Sequence, residues 1–280
     1  MCLSPAFFVE ITDNHFHLDP LGRREMAVKD FISAGGTRLV LVHKPYKDWN
    51  KLSSFKNQVD TTLSLASKAR HVGAKVAVVA SPHPVQLLKL LEKQGKDAAS
   101  EIYLDAVNYC TELVDENKIV GLGELGRPHF KVKPSIWRLS NEILVESLSR
   151  AREVDAAAVL HTESADSSVM AELSNIATKS GFPKSRLVKH YGSLESLEDQ
   201  QEIVVSLISS FSNIEGGVKR GKSFMLETDY LDDPNRPGAV MGPKTVPRKT
   251  LKALNTGLLN QDQLHKIHTD LPNQVYREFI

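Results

Sequence analysis

The stretch Asp13-Asn14-His15-Phe16-His17, close behind the N-terminus, decides how the rest of the chain is read. In a strand, side chains two residues apart point the same way, so Asp13, His15 and His17 are expected on one face. Two imidazoles side by side at a strand end can hold one metal ion in common, although a pair of ordinary loop histidines has the same spelling. The stretch also bears on the fold. A doubly wound open sheet usually carries a Gly-rich phosphate-binding turn after its first strand, and here His15-Phe16-His17 occupies that place.

Outward from this stretch, short β-rich apolar runs alternate with longer helical patterns. Strands are predicted at Ile11–Leu18, Arg38–His43, Lys75–Ala80, Ile119–Gly126, Ala156–Thr162, Arg186–Tyr191, Val204–Ile208 and Phe224–Thr228. Helices are predicted at Arg24–Ser33, from Phe55 to a stop at Gly73, at Val85–Lys93 and Ala98–Asn117, at Ile136–Val154, Ser167–Ser180 and Leu194–Ile203, and from Thr250 onward. Alternating strand and helix means βαβ units and a parallel sheet. About eight such units in a chain of this length match a single (β/α)₈ TIM barrel spanning residues 1–280, with the open doubly wound sheet as the alternative.

Composition narrows the class. Hydrophobic residues make up 41% and charged residues 25% of the 280, which is ordinary for a globular protein that keeps out of the membrane. A formal net charge of +1 argues against a broadly basic surface, so any nucleic-acid contact should be local. Cys2 and Cys110 cannot form a disulfide framework and read as reduced and inert. Met1–Phe8 lacks a basic n-region and a long apolar core, and no apolar run approaches a membrane span. A cytoplasmic protein is expected.

The polar residues are informative by position. A barrel enzyme carries its catalytic groups where strands end at the C-terminal face. The residues at these ends are His15 and His17, His43, His83, Glu124, His161, His190 and Asp229. Six of the ten histidines thus fall at predicted strand ends, which random scatter does not readily produce. Glu124 sits inside the apolar, Gly-spaced run Val120-Gly121-Leu122-Gly123-Glu124-Leu125-Gly126, where an unpaired carboxylate is expensive to bury and a metal partner would compensate. His161 and His190 could each be a hydrogen-bonded core histidine, and Asp229 alone could be a helix N-cap. Together they make four histidines and two carboxylates converging on one end of a barrel, the ligand inventory of a two-metal hydrolytic site.

These pieces resemble the TatD family of metal-dependent hydrolases within the wider amidohydrolase group. The matching motifs are Asp13-x-His15-x-His17-Leu18, Gly123-Glu124-Leu125-Gly126, His161-Thr162, the His190 strand end and Glu227-Thr228-Asp229, in family order and spanning nearly the whole chain. The resemblance implies a TIM barrel in which His15 and His17 bind one metal and His161 and His190 a second. Glu124 would bridge the two, Asp229 would bind metal and take the proton of the attacking water, and Asp13 would support the cluster. Family members include deoxyribonucleases, and some relatives deacylate mischarged tRNA. The chain departs from the common pattern at Arg127-Pro128-His129, at Tyr230-Leu231-Asp232-Asp233 and in the insertion Pro234–Pro247, features that resemble an archaeal branch of the family.

The expected chemistry is attack on a phosphoester by a hydroxide held between two divalent ions, with Asp229 as general base. The histidine and carboxylate shell suits Zn²⁺, Mn²⁺, Co²⁺ or Fe²⁺, and admits Mg²⁺. Specificity is expected from loops on the catalytic face. Arg127, His129 and Arg236 are candidate contacts for an anionic substrate, a nucleic acid or a small phosphoester, and Glu163 and His83 are further candidates. The Pro-rich segment 230–250 reads as a lid-like loop of about twenty residues. His43 and Lys44 are weaker candidates, and Lys219-Arg220-Gly221-Lys222 is expected as solvated surface on the opposite face. Two other readings compete: hydrolysis of a small amide, an ester or an aminoacyl-tRNA ester on the same metals, and a non-catalytic metal-binding protein.

Overall fold

The computed structural model describes residues 10–277 and 279, so Cys2 and the opening segment lie outside the described residues. The strands are β1 (Thr12–His17), β2 (Arg38–Val42), β3 (Lys75–Val79), β4 (Gly121–Gly126), β5 (Ala157–His161), β6 (Leu187–Gly192), β7 (Val204–Ile208), β8 (Met225–Glu227) and β9 (Tyr230–Leu231). The helices between β1 and β5 are α1 (Glu25–Ser33), α2 (Leu52–His71), α3 (Pro84–Gln94), α4 (Lys96–Asp115) and α5 (Pro134–Glu153). The later ones are α6 (Ser167–Ser180), α7 (Leu194–Glu198), α8 (Phe211–Lys219), α9 (Thr245–Asn255), α10 (Gln261–His265) and α11 (Leu271–Tyr276). Paired strands run parallel in the order β8-β7-β6-β5-β4-β3-β2-β1-β9, and the helices follow the strands as in a TIM barrel.

Strand alternation sorts the core into two layers. Val40, Val42, Val79, Val159, Val188 and Met225 pack together inside the barrel. Their neighbours Leu39, Leu41, Val78, Leu160, Leu187 and Leu226 pack outward against the helices. Leu271 and Val275 of α11 join the inner cluster, and Tyr276 donates its hydroxyl to Asn14 Oδ1 at 2.9 Å. The C-terminal helix therefore packs against the interior of the barrel.

The seam between β8 and β1 is bridged by a side chain. Thr228 donates its N–H to Asp13 Oδ1 at 2.9 Å and its hydroxyl to Oδ2 at 2.6 Å. The β1–β2 register shifts between Asp13 and Phe16, so the strict alternation expected for this stretch is interrupted, although His15 and His17 still converge. β9 then pairs with the end of β1, Phe16 opposite Tyr230 and His17 opposite Leu231.

The segment expected as a 20-residue loop is shorter and tied at both ends. Asp232 accepts the N–H groups of Arg23 (2.8 Å) and Arg24 (2.7 Å), and Lys244 pairs with Asp30 of α1 at 2.8 Å. α9 begins at Thr245 because a proline in the first helical turn, here Pro247, has no intrahelical bond to lose. α8 occupies a stretch with no helix expected from the sequence, since Gly216 and Gly217 weaken its pattern. Cys110 is free and buried in α4. No helix among the described residues is long and apolar enough to cross a membrane.

Candidate metal centre

β1, β4, β5, β6 and the turn after β8 bring five polar strand ends into one cluster. His15 Nε2 and His17 Nε2 stand 3.1 Å apart. Asp229 Oδ1 lies 3.9 Å from the first and 3.5 Å from the second. Glu124 Oε1 is 3.8 Å from His15 Nε2, 3.3 Å from His190 Nε2 and 2.8 Å from His161 Nδ1. Four donors about 2.1 Å from one ion in a tetrahedron stand about 3.4 Å from one another, so His15, His17, Asp229 and Glu124 have the spacing of a ligand set. His161 and His190 reach the same Glu124 oxygen, with ring centroids 5.9 Å apart, and His190 stacks on His15 at 3.8 Å.

The surroundings orient these groups. His17 Nδ1 lies 2.9 Å from the Val42 carbonyl, so it carries the proton and leaves the Nε2 lone pair facing the cluster. His190 Nδ1 is 2.9 Å from Glu227 Oε1, with the same consequence. Gly126 makes the close approach of β4 to β5 workable: its φ is 139°, and a Cβ there would lie 2.0 Å from the His161 carbonyl oxygen. Arg127 N–H then donates to that oxygen at 3.1 Å.

The electrostatics call for a cation. Glu124 is buried, and burial would raise its pKa, yet His161, His15 and His190 hold it well below the usual carboxylate range. Its ion-pair partners among the described residues are all histidines. His190 is pushed up to about 9 because Glu227 and Glu124 outweigh its burial, and His17 is raised by Asp229 and Glu124 against the same penalty. His15 is pulled well down by burial and by the neighbouring His190 and His17. Two buried atoms, His15 Nδ1 and Glu227 Oε2, have no hydrogen-bond partner. Protons and a divalent ion compete for this donor set, and its composition and spacing fit the ion.

The other residues singled out from the sequence fall as follows. His83 caps α3, accepting the Val85 N–H on Nδ1, and its Nε2 faces Glu124 Oε2 at 3.8 Å. It therefore stands at ligand distance with Glu124 and His161. His129 Nδ1 is 2.8 Å from His161 Nε2 at the exposed rim. Glu163, His129 and Arg236 line a cavity of about 410 Å³ together with His161, His190 and Asp229. Arg127 departs from the expectation of a substrate contact. It is 0% exposed, stacks on Trp137, and spends its guanidinium on Glu163, Glu172 and Asn141. A buried guanidinium needs such partners, and these carboxylates supply them. His43 bonds Thr62 and lies close enough to feel the charges of His17, His83 and Glu124, and Lys44 pairs with Asp19.

Two residues outside the predicted set join the site. Glu227 is fully buried, accepts the Tyr191 N–H at 2.8 Å and groups with His15 and His190 at metal-ligand distance. Lys189 lines the cavity. Each is a charged residue within an apolar strand, the signal that singled out Glu124, and it was there to be read.

Comparison with known proteins identifies the family and the fold. The family profile for TatD related DNase matches residues 12–277. An uncharacterized protein of Methanocaldococcus jannaschii is 34% identical over 271 residues, 95% of each chain. Among solved structures, a TatD-like protein from Archaeoglobus fulgidus superimposes with a TM-score of 0.68 at 16% identity, covering 94% of this chain and 99% of that one. A TatD homologue from Escherichia coli gives 0.65 at 19%, covering 97% and 99%. The chain belongs to the TatD family of metal-dependent hydrolases.

Proposed function

We propose that this protein is a two-metal phosphoesterase of the deoxyribonuclease type, with the cluster around Glu124 as its reaction centre. The observation that carries the reading is that one buried carboxylate oxygen faces three imidazoles, within 3.8 Å of each, with Asp229 beside them and a cavity opening over the group. Two divalent ions bound there would supply an ionised water near neutral pH and polarise the scissile phosphoryl group. His15, His17 and Asp229 would hold one ion, His161 and His190 the other, and Glu124 would contact both.

Asp229 is suited to proton transfer because its side chain is 18% exposed and reaches the cavity, whereas Glu124 and Glu227 are enclosed. It would accept the proton of the attacking water and return it to the leaving oxygen. Glu227 would keep His190 turned toward the cluster. Arg236 and His129, at the cavity edge, would meet the anionic substrate, while Arg127 acts one step removed by holding Glu163 in the cavity wall.

The test is hydrolysis of bis(p-nitrophenyl) phosphate and single-stranded DNA by metal-stripped protein reloaded with Mn²⁺, Mg²⁺, Co²⁺ or Zn²⁺. Metal-dependent turnover is expected, with Glu124→Gln losing at least a hundredfold. Turnover confined to carboxylic esters and amides would replace this reading with the ester and amide alternative.

A further inference from the structure

Four cationic side chains among the described residues are buried: Arg38, Arg127, Arg186 and Lys189. Burying a charge is costly without a counter-charge, and three of the four have one. Arg38 pairs with Glu10 at 2.7 Å, Arg127 with Glu163 at 2.5 Å and Arg186 with Asp155 at 2.5 Å. Lys189 is the exception. It is 1% exposed, and its ammonium makes one hydrogen bond, to the His190 carbonyl at 2.6 Å. No carboxylate oxygen of the described residues lies within the 4.0 Å of an ion pair. An ammonium has three N–H donors, so two remain without a protein acceptor.

The place of this unpaired cation is as telling as its burial. Lys189 lines the cavity that holds His161, His190 and Asp229, one residue away from a candidate metal ligand. The charges of Glu227, Glu163 and Glu124 reach Lys189 from beyond ion-pair distance, but each is engaged elsewhere: Glu227 with His190 and the Tyr191 N–H, Glu163 with Arg127 on both oxygens, at 2.9 Å and 2.5 Å, and Glu124 with His161 and His190. Thr162 and Ser164 place hydroxyl-bearing residues on the same wall. A residue needed only to brace the His190 carbonyl could be neutral, whereas a lysine buried in a cavity wall with two unused N–H donors has the chemistry of an anion receptor.

We propose that Lys189 binds a second, non-reacting anionic group of the substrate, a phosphate or carboxylate, beside the metal-ligand cluster. The substrate class is thereby narrowed to esters bearing such a group next to the bond that breaks. The proposal deepens the hydrolase reading and relies on its phosphoester part only for the choice of one probe pair.

Two matched pairs of substrates test it: ethyl and carboxymethyl p-nitrophenyl phosphate, and p-nitrophenyl butyrate and mono-p-nitrophenyl succinate. Within a pair the members differ by the added carboxylate. The wild-type protein with metal should favour the anionic member roughly tenfold to a hundredfold in kcat/KM, mainly through KM, the range of one charge-assisted hydrogen bond. Lys189→Gln should bring that ratio to within about twofold, and Lys189→Arg should retain part of it. No preference in the wild type, or a preference that survives Lys189→Gln, overturns the proposal, since a bracing role would leave the ratio unchanged. If the phosphate pair is inert and the ester pair turns over, the phosphoester reading falls while the ester ratio still decides Lys189. Should the Gln variant fail to fold, acetic anhydride labelling of the wild type with and without inorganic phosphate decides: Lys189 is expected to be protected, and equal labelling overturns the proposal.

Discussion

Glu124 and Glu227 illustrate how one signal can be read at one position and passed over at another. Both are carboxylates in otherwise apolar strands, and both end up buried among histidines. Glu124 stood out through its Gly-spaced run, whereas Glu227 was overshadowed by Asp229 two residues on. Arg127 failed in the opposite direction. Its partners Glu163 and Glu172 lie 36 and 45 residues away, and only the fold shows that they neutralise it. Glu227→Gln probes this carboxylate directly. An amide at this position accepts more weakly from His190 Nδ1 and leaves the imidazole less well oriented and less basic. Metal affinity or kcat should therefore fall about 10- to 100-fold, measured by metal titration and steady-state kinetics, with the secondary structure unchanged by circular dichroism. A loss below twofold would remove Glu227 from the working site.

At the scale of elements, the strands and most helices were legible because their hydrophobic periods are strong, as in α6, where predicted and observed bounds coincide at Ser167–Ser180. What periodicity cannot show is how the ends meet. The β8–β1 seam rests on Asp13 and Thr228, a pairing across 215 residues. The start of α9 was masked by prolines, which suggest a loop until one is recognised as a first-turn residue. The π-helical stretch Lys266–Asp270, between α10 and α11, carries His268, whose Nδ1 lies 3.1 Å from Thr12 N and whose Nε2 lies 3.0 Å from Thr250 Oγ1. Burial pulls His268 down to about 4 from an ordinary 6.5. Above about pH 6.5 both folded and unfolded chains hold it neutral. As pH falls toward 4 the unfolded chain takes up a proton that the folded one refuses, so stability is lost across that window, by roughly 3 kcal/mol from this group. Urea unfolding at pH 7, 5.5 and 4.5 should give a shallower pH slope for His268→Gln than for the wild type. Equal slopes would assign the acid sensitivity elsewhere.

For the whole molecule, the alternation of strand and helix and the gathering of histidines at one set of strand ends were enough to read a barrel with its chemistry on one face. The closed site has an energetic consequence. Five imidazoles (His15, His17, His83, His161 and His190) and three carboxylates (Glu124, Glu227 and Asp229) share a small volume, a crowd of lone pairs that a bound cation would hold together. A ligand that binds only the folded state stabilises it by about 3 kcal/mol at a hundredfold excess over Kd. For a chain of this size that corresponds to a Tm shift of about 5 °C. Chelation should lower Tm by this amount and re-addition of Zn²⁺ or Mn²⁺ should restore it, read by differential scanning calorimetry. A Tm indifferent to chelator would mean that the cluster is satisfied by protons alone.

Whether Glu124 stands between two metal ions is tested most directly by anomalous diffraction from crystals grown with Mn²⁺ or Zn²⁺. Two anomalous peaks are expected, one ringed by His15, His17 and Asp229 and one against His161 and His190, with the Glu124 carboxylate touching both. Peaks elsewhere, or an ordered Glu124 bound only to protonated histidines in metal-saturated crystals, would contradict this placement.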